Sequence, residues 1–312
     1  GEPRSEQPVW ALSSFGRAPA LQAGGGRFEP GRVHHTKHIA SWRCVFVKVT
    51  LGASSTDDMR ILFLDILTDQ PAFREEAERD ILQGTYSELF RTSLGHPSSQ
   101  WATIDASRTP FPSLSSFDGL IISGSMENAV PDQEKPWMQQ TYQHIRETIE
   151  AKKPVFGVCG GLQFTVRALG GMVMKNPVGR NFGLSNTRLT EAGQRDPLLS
   201  KYGNSADVLA SHSYRASDLP TGCHLLSSAP KSPFDAIGYQ SHVRLVQFHP
   251  EFTPEIVSRL AHVHRTTLIQ DSHVSEADFE DYVAKTRELR HTGHKLLSSI
   301  VPFFEEVKER PE

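Results

Sequence analysis

From Met59 onward the chain alternates between short runs of apolar residues and longer stretches with apolar side chains three and four positions apart. Residues 60–67, 117–125 and 154–158 are apolar almost throughout, the pattern of strands covered on both faces, and 101–106 is strand-like. Between them, 71–83 places Phe73, Ala77 and Ile81 at helical spacing, and 136–153 opens on Pro136, where a missing N–H costs a helix little. A further helix is expected over 160–170. Strands alternating with helices predict an α/β fold, a mostly parallel central sheet with helices on both faces.

The second half is richer in strands, expected at Gly183–Leu189, Asp207–Ser211, His224–Ser227, Asp235–Tyr239 and Val243–Phe248. Thr253 and Pro254 then read as the N-cap and first position of a helix. A long amphipathic helix, about 276–307, closes the chain, with Val301, Phe303 and Phe304 available for packing onto the sheet or for a partner. Residues 1–58 differ in character. They are rich in Gly, Pro, Ser and Arg, hold one β-like run (Cys44–Leu51), and read as a poorly ordered extension before a domain spanning 59–312. The basic start has some transit-peptide character, against which Glu2, Glu6 and Glu29 argue. His34, His35 and His38 read as part of a solvated tail.

Composition narrows the classes. With 312 residues and 38% hydrophobic content the chain can bury a core, and a net charge of −3 gives no reason to expect nucleic acid or an anionic membrane as partner. Three cysteines, Cys44, Cys159 and Cys223, are too few and too scattered for a disulfide framework, which points to a reducing, cytoplasmic setting. No Cys/His cluster has metal-ligand spacing, so neither a metal nor a cofactor is expected. No apolar run approaches the roughly 20 residues that span a bilayer.

One stretch carries chemistry. In GVCGGLQ (157–163) a cysteine stands between an apolar strand and a helix, at the carboxyl end of the sheet where open α/β sheets bind ligands. Gly157, Gly160 and Gly161 clear bulk from a corner that is strained and closely approached by backbone. The helix start favours thiolate and offers N–H groups to an oxyanion, so Cys159 is placed to attack a carbonyl carbon; a structural cysteine in a glycine-rich turn accounts for this stretch alone equally well. His249 follows the strand 243–248 directly, and Glu251, two residues on, returns to the same face, the arrangement in which a carboxylate fixes an imidazole tautomer. The strand ending in Ser123, Gly124 and Ser125 can point backbone N–H groups at the same place.

Together these residues resemble the class I glutamine amidotransferases of the Cys-His-Glu type, and among them stand-alone proteins similar to the glutaminase domain of GMP synthase. The elbow pattern Gly-x-Cys-x-Gly-x-Gln is met by Gly157, Cys159, Gly161 and Gln163, and the HPE signature by His249, Pro250 and Glu251. ALGG (168–171), NPVGRNFG (176–183), LASHSY (209–214) and QFHPEF (247–252) extend the likeness from Met59 to near the end. The resemblance implies a flavodoxin-like fold and a thiol that attacks the side-chain amide of glutamine, forms a γ-glutamyl thioester and releases ammonia. It implies Cys159 as nucleophile, His249 as base oriented by Glu251, and backbone N–H groups of Gly124 or Ser125 and of Gly160 around the oxyanion. Gln163 and the loop around 180–183, with Asn181, would line the substrate pocket; His212 is either a neighbour of the active site or a satisfied strand-end histidine. Asn181 replaces a common Glu, Leu162 a common His or Met, and Tyr214 a common acidic residue, all toward the substrate's amino-acid end.

No ATP-pyrophosphatase signature or Walker-type loop accompanies the domain. Two enzymatic readings follow: a glutaminase whose ammonia is released or taken up by a separate synthetase or acceptor subunit, and a stand-alone γ-glutamyl peptidase acting on a small-molecule γ-glutamyl compound. A catalytically idle binding or regulatory domain is the reading of another class, and it would be marked by a lost triad residue. Cysteine-containing α/β stress proteins and deglycases share the elbow but lack the late HPE.

Overall fold

The computed structural model describes residues 59–310; the run Cys44–Leu51 and the histidines His34, His35 and His38 lie outside them. In chain order the strands are β1 (Ile61–Asp65), β2 (Trp101–Asp105), β3 (Gly119–Ile122), β4 (Val155–Val158), β5 (Val173–Lys175), β6 (Asn181–Leu189), β7 (Ser205–His212), β8 (Tyr214–Ala216), β9 (Cys223–Ala229), β10 (Ser232–Tyr239) and β11 (Val243–Val246). The α-helices are α1 (Pro71–Glu76), α2 (Tyr86–Leu94), α3 (Pro136–Glu150), α4 (Gly160–Ala168), α5 (Glu191–Arg195), α6 (Pro254–Val263), α7 (Arg265–Gln270), α8 (Phe279–Thr286) and α9 (His294–Glu309).

Nine strands form one sheet in the order β2-β1-β3-β4-β11-β10-β9-β6-β7. Neighbours are parallel from β2 to β11 and antiparallel from β11 to β7, so the sheet is mixed and its parallel half has the flavodoxin-like order. β5 and β8 pair separately as a short antiparallel ribbon. The apolar runs explain the parallel half. In β1, Ile61 and Phe63 enter one core with side chains of α2, α6, α8 and α9, while Leu62 and Leu64 enter another with α3 and α4. A strand buried on both faces has no polar side to offer water, hence its unbroken apolar sequence.

The caps follow the sequence. The Thr253 side chain accepts from the Ile256 N–H with Pro254 at the first position of α6, and Thr85 does the same for Glu88 at the start of α2. Two expectations change. The helix predicted over 71–83 passes from α-helix, Pro71–Glu76, into a π-helical stretch, Ala77–Leu82. The helix expected over 276–307 is two helices, α8 and α9, because the intervening segment is tied down. The Thr292 N–H donates to the Asp207 carbonyl at 2.8 Å, and the Tyr202 hydroxyl to the Gly293 carbonyl at 2.8 Å. The packing reading of Phe303 and Phe304 holds, since both are buried in the core. Among the described residues no helix is long and apolar enough to cross a membrane.

Phe304 is fully buried under the parallel half of the sheet. Phe304→Ala is expected to lower the free energy of unfolding by about 3–5 kcal/mol, measured by urea denaturation with an unchanged slope.

Candidate active site

The site forms where β3, β4 and β11 end side by side. Ile122 is paired with Gly157, and Val246 with Val158, so Ser123, Cys159 and Gln247 follow on three adjacent strand ends. The Cys159 N–H still bonds the Val246 carbonyl at 2.7 Å, and the chain then turns into α4 with Cys159 at φ 49° and ψ −98°. A non-glycine residue held there costs about 1–3 kcal/mol, the kind of strain stored where a side chain must be aimed. The flanking glycines serve a different need, closeness. A Cβ on Gly161 would lie 2.6 Å from the Ile122 carbonyl oxygen, and one on Gly160 2.5 Å from the Ser125 nitrogen.

His249 and Glu251 complete the arrangement. The His249 N–H donates to the Leu209 carbonyl at 2.8 Å, which fastens the segment after β11 to β7. The ring stacks on Phe252, centroids 3.9 Å apart and nearly parallel, and its Nδ1–H donates to Glu251 Oε1 at 2.7 Å. With Nδ1 engaged, Nε2 is left for the Cys159 thiol, which is within hydrogen-bonding reach of the imidazole. All three side chains are buried. Burial opposes protonation of His249, but the charges of Glu251 and Cys159 outweigh it and raise its pKa to about 10. An imidazolium beside a thiol is the electrostatic partner that a thiolate nucleophile requires.

The loop after β3 meets the start of α4 beside Cys159. Ser123 Oγ accepts from the Ile66 N–H, and Ser125 Oγ donates to the Ile66 carbonyl at 2.7 Å while accepting from the Glu127 N–H. These bonds fix the loop after β3 and press the Ser125 backbone against Gly160 at the start of α4. Gly124 lies instead against Tyr86 and His249; a Cβ there would be 2.7 Å from the Tyr86 hydroxyl and 3.0 Å from His249 Cε1. The closely apposed pair is therefore Ser125 and Gly160.

Gln163, Asn181 and His212 are brought to the same region. Gln163 Nε2 donates to the Tyr214 carbonyl at 2.9 Å and to Gln247 Oε1 at 3.4 Å. Asn181 is paired with His212 across β6 and β7, and its Nδ2 donates to His212 Nε2 at 3.2 Å, while His212 Nδ1–H donates to the Tyr214 carbonyl at 3.0 Å. Desolvation, partly offset by that carbonyl, draws the His212 pKa down to about 3. Sequence reasoning missed three residues. Gln247, fully buried, donates from Nε2 to Cys159 Sγ at 3.5 Å; Phe252 carries the histidine ring; Tyr86, on the helix that was not expected, reaches both Glu251 and His249. The Thr-x-x-Glu box at Thr85–Glu88 was the available signal for that helix.

The family model for glutamine amidotransferase class-I matches residues 90–259, a stretch that contains Cys159, His249 and Glu251. Gamma-glutamyl peptidase 5 of Arabidopsis thaliana is 28% identical over 73% of the chain and 90% of its own length. A glutamine-hydrolysing GMP synthase of Lactococcus lactis subsp. cremoris is 34% identical over 43% of the chain, which spans only 24% of that relative. Among solved structures, a glutamine amidotransferase from Thermotoga maritima superposes with a TM-score of 0.56 at 15% identity, over 80% of this chain and 98% of that one. One from Methylobacillus flagellatus gives 0.58 at 15% identity, over 79% and 96%. At these identities the structures speak for the fold.

The depressed pKa of His212 has a consequence for stability. The unfolded chain takes up a proton near 6.5 that the folded site refuses until about 3. Stability is therefore full above pH 6.5 and is lost as pH falls toward 3. His212→Asn is expected to flatten the acid side of a plot of unfolding free energy against pH, read by denaturant titration at several pH values.

Proposed function

Because the chain belongs to the glutamine amidotransferase class-I family, we propose that Cys159, His249 and Glu251 hydrolyse the γ-amide of glutamine through a cysteine thioester. We assign this chemistry to residues 59–312 and to a reducing, cytoplasmic setting that keeps the thiol free. The observation that carries the reading is the buried chain of contacts from Glu251 through His249 to Cys159 at the ends of adjacent strands.

Cys159 Sγ attacks the γ-carbonyl carbon, and the thiol proton resides on His249. The carbonyl oxygen becomes an oxyanion facing the N–H groups of Ser125 and Gly160. Collapse breaks the C–N bond, and His249 gives its proton to the departing ammonia. Water, deprotonated by the same imidazole, then attacks the thioester, releasing glutamate and restoring the thiol. Glu251 holds the tautomer throughout. Asn181, Gln163 and His212 contact the substrate's amino-acid end with neutral groups. The ammonia is released or taken up by a separate acceptor subunit.

A second reading has its own support. The resemblance to a γ-glutamyl peptidase runs over 73% of the chain, whereas the GMP synthase match runs over 43%. On that reading the amine that leaves is the α-amino group of a peptide's next residue, and the chemistry at Cys159 is unchanged.

Ammonia release from L-glutamine and cleavage of a panel of γ-glutamyl dipeptides separate the two. The expected result is turnover of one class by the wild-type chain and loss to background in Cys159→Ala. Turnover that survives Cys159→Ala would remove the thiol from the mechanism.

A further inference from the structure

Tyr86 stands outside the stretch that matches the family, at the first position of α2, and its side chain is buried at the base of the site. Its hydroxyl donates to Glu251 Oε1 at 2.6 Å and lies 3.3 Å from His249 Nδ1. The same Glu251 oxygen accepts from His249, while Glu251 Oε2, also buried, has no hydrogen-bond partner. Both donors thus converge on one oxygen.

A carboxylate has two equivalent oxygens, and a single donor leaves it free to swing about its own axis. A second donor at a fixed place removes that freedom. The phenol is itself held from several sides: its ring packs with Phe63 and Phe90, and the space beside its oxygen exists because residue 124 is glycine. The titratable groups facing the hydroxyl are Glu251 and Cys159, together with His249. Burial first, and then the charge of Glu251, push its pKa well above the ordinary tyrosine value, so the hydroxyl keeps its proton and remains a donor.

We propose that Tyr86 is a positioning residue of this site, its hydroxyl holding Glu251 in the orientation from which the carboxylate aims His249 at Cys159. The proposal rests on the reading of those three residues as the reacting assembly. It extends the assembly by one residue and ties the β3 loop, through Gly124, to the base.

Tyr86→Phe in the full chain removes the donor and keeps the ring. Thermal melting reports whether the fold survives, and Tyr86→Met repeats the test if it does not. On whichever γ-glutamyl substrate the wild type turns over, kcat is expected to fall about tenfold with KM within about twofold, since the lost group acts on the base and not on binding. In a Glu251→Gln background the same change is expected to cost less than about twofold, because Tyr86 acts through that carboxylate. Alkylation of Cys159 by iodoacetamide across pH needs no substrate. Its alkaline edge, governed by the imidazolium beside the thiol, is expected to move in Tyr86→Phe. Losses that multiply in the double variant, or a folded Tyr86→Phe with wild-type kcat and an unmoved edge, would overturn the proposal. If the wild type turned over no γ-glutamyl compound, the proposed function would fail while the alkylation edge still judged Tyr86.

Discussion

Parallel pairing of β4 with β3 on one side and β11 on the other sets the level at which three strand ends meet, and every contact in the site depends on that level. The pairs Ile122–Gly157 and Val158–Val246 fix it to the residue. With the register so fixed, the loop after β3, the Cys159 thiol and the His249 imidazole each need only the few residues that follow their strand. A slip of β11 by one residue would turn His249 to the opposite face of the sheet and dissolve the arrangement. The register is protected by burial on both faces: β3 and β4 are apolar and fully covered, and β11 is covered as well, its one charged side chain, Arg244, paired with the buried Asp196.

That rigidity also carries the strain at Cys159. A left-handed φ without glycine costs about 1–3 kcal/mol, comparable with what one large apolar side chain contributes on burial, about 1.5–3 kcal/mol. Phe63, Phe156 and Phe248, each fully buried in the same core cluster as Cys159, outweigh it. The two requirements of the turn are divided between residues. Cys159 takes the unusual dihedral angles, whereas Gly160 and Gly161 supply closeness, letting α4 start in contact with the loop after β3. A bulkier residue at 160 would push the helix start away from Ser125, and one at 161 would push it away from the Ile122 backbone.

The sequence pattern made the parallel half legible because β1, β3 and β4 are buried on both faces and so cannot hide their apolar runs. Cys159, His249 and Glu251 were legible for a related reason: each stands one to five residues beyond such a run. The rest was set by tertiary contacts that leave little local trace. The break between α8 and α9 comes from bonds made by Thr292 and Gly293 to Asp207 and Tyr202, distant in sequence. Tyr86 belongs to the same class. A tyrosine at the first position of a short capped helix looks like any core aromatic, and only the fold brings its oxygen to Glu251, 165 residues away. Phe303 and Phe304 are apolar on an amphipathic helix, and the sequence alone does not say what covers them.

Two buried histidines show how finely the environment divides labour within one pocket. His212 and His249 are equally enclosed, yet one is drawn down to about 3 and the other raised to about 10. Desolvation acts on both in the same direction, so the difference lies in their partners. His212 meets a carbonyl and a carboxamide, neutral groups that cannot hold a buried charge, and the charge on His249 adds to its reluctance. His249 meets a carboxylate on one side and the cysteine on the other. Positive charge in this pocket is therefore favoured on one imidazole, and the neighbouring ring, held by neutral partners, does not compete for it. Separating two like groups by their partners in this way is how a site assigns its acid–base work to one of them, and on the proposed function that work falls to the histidine that also touches Tyr86, Glu251 and Cys159.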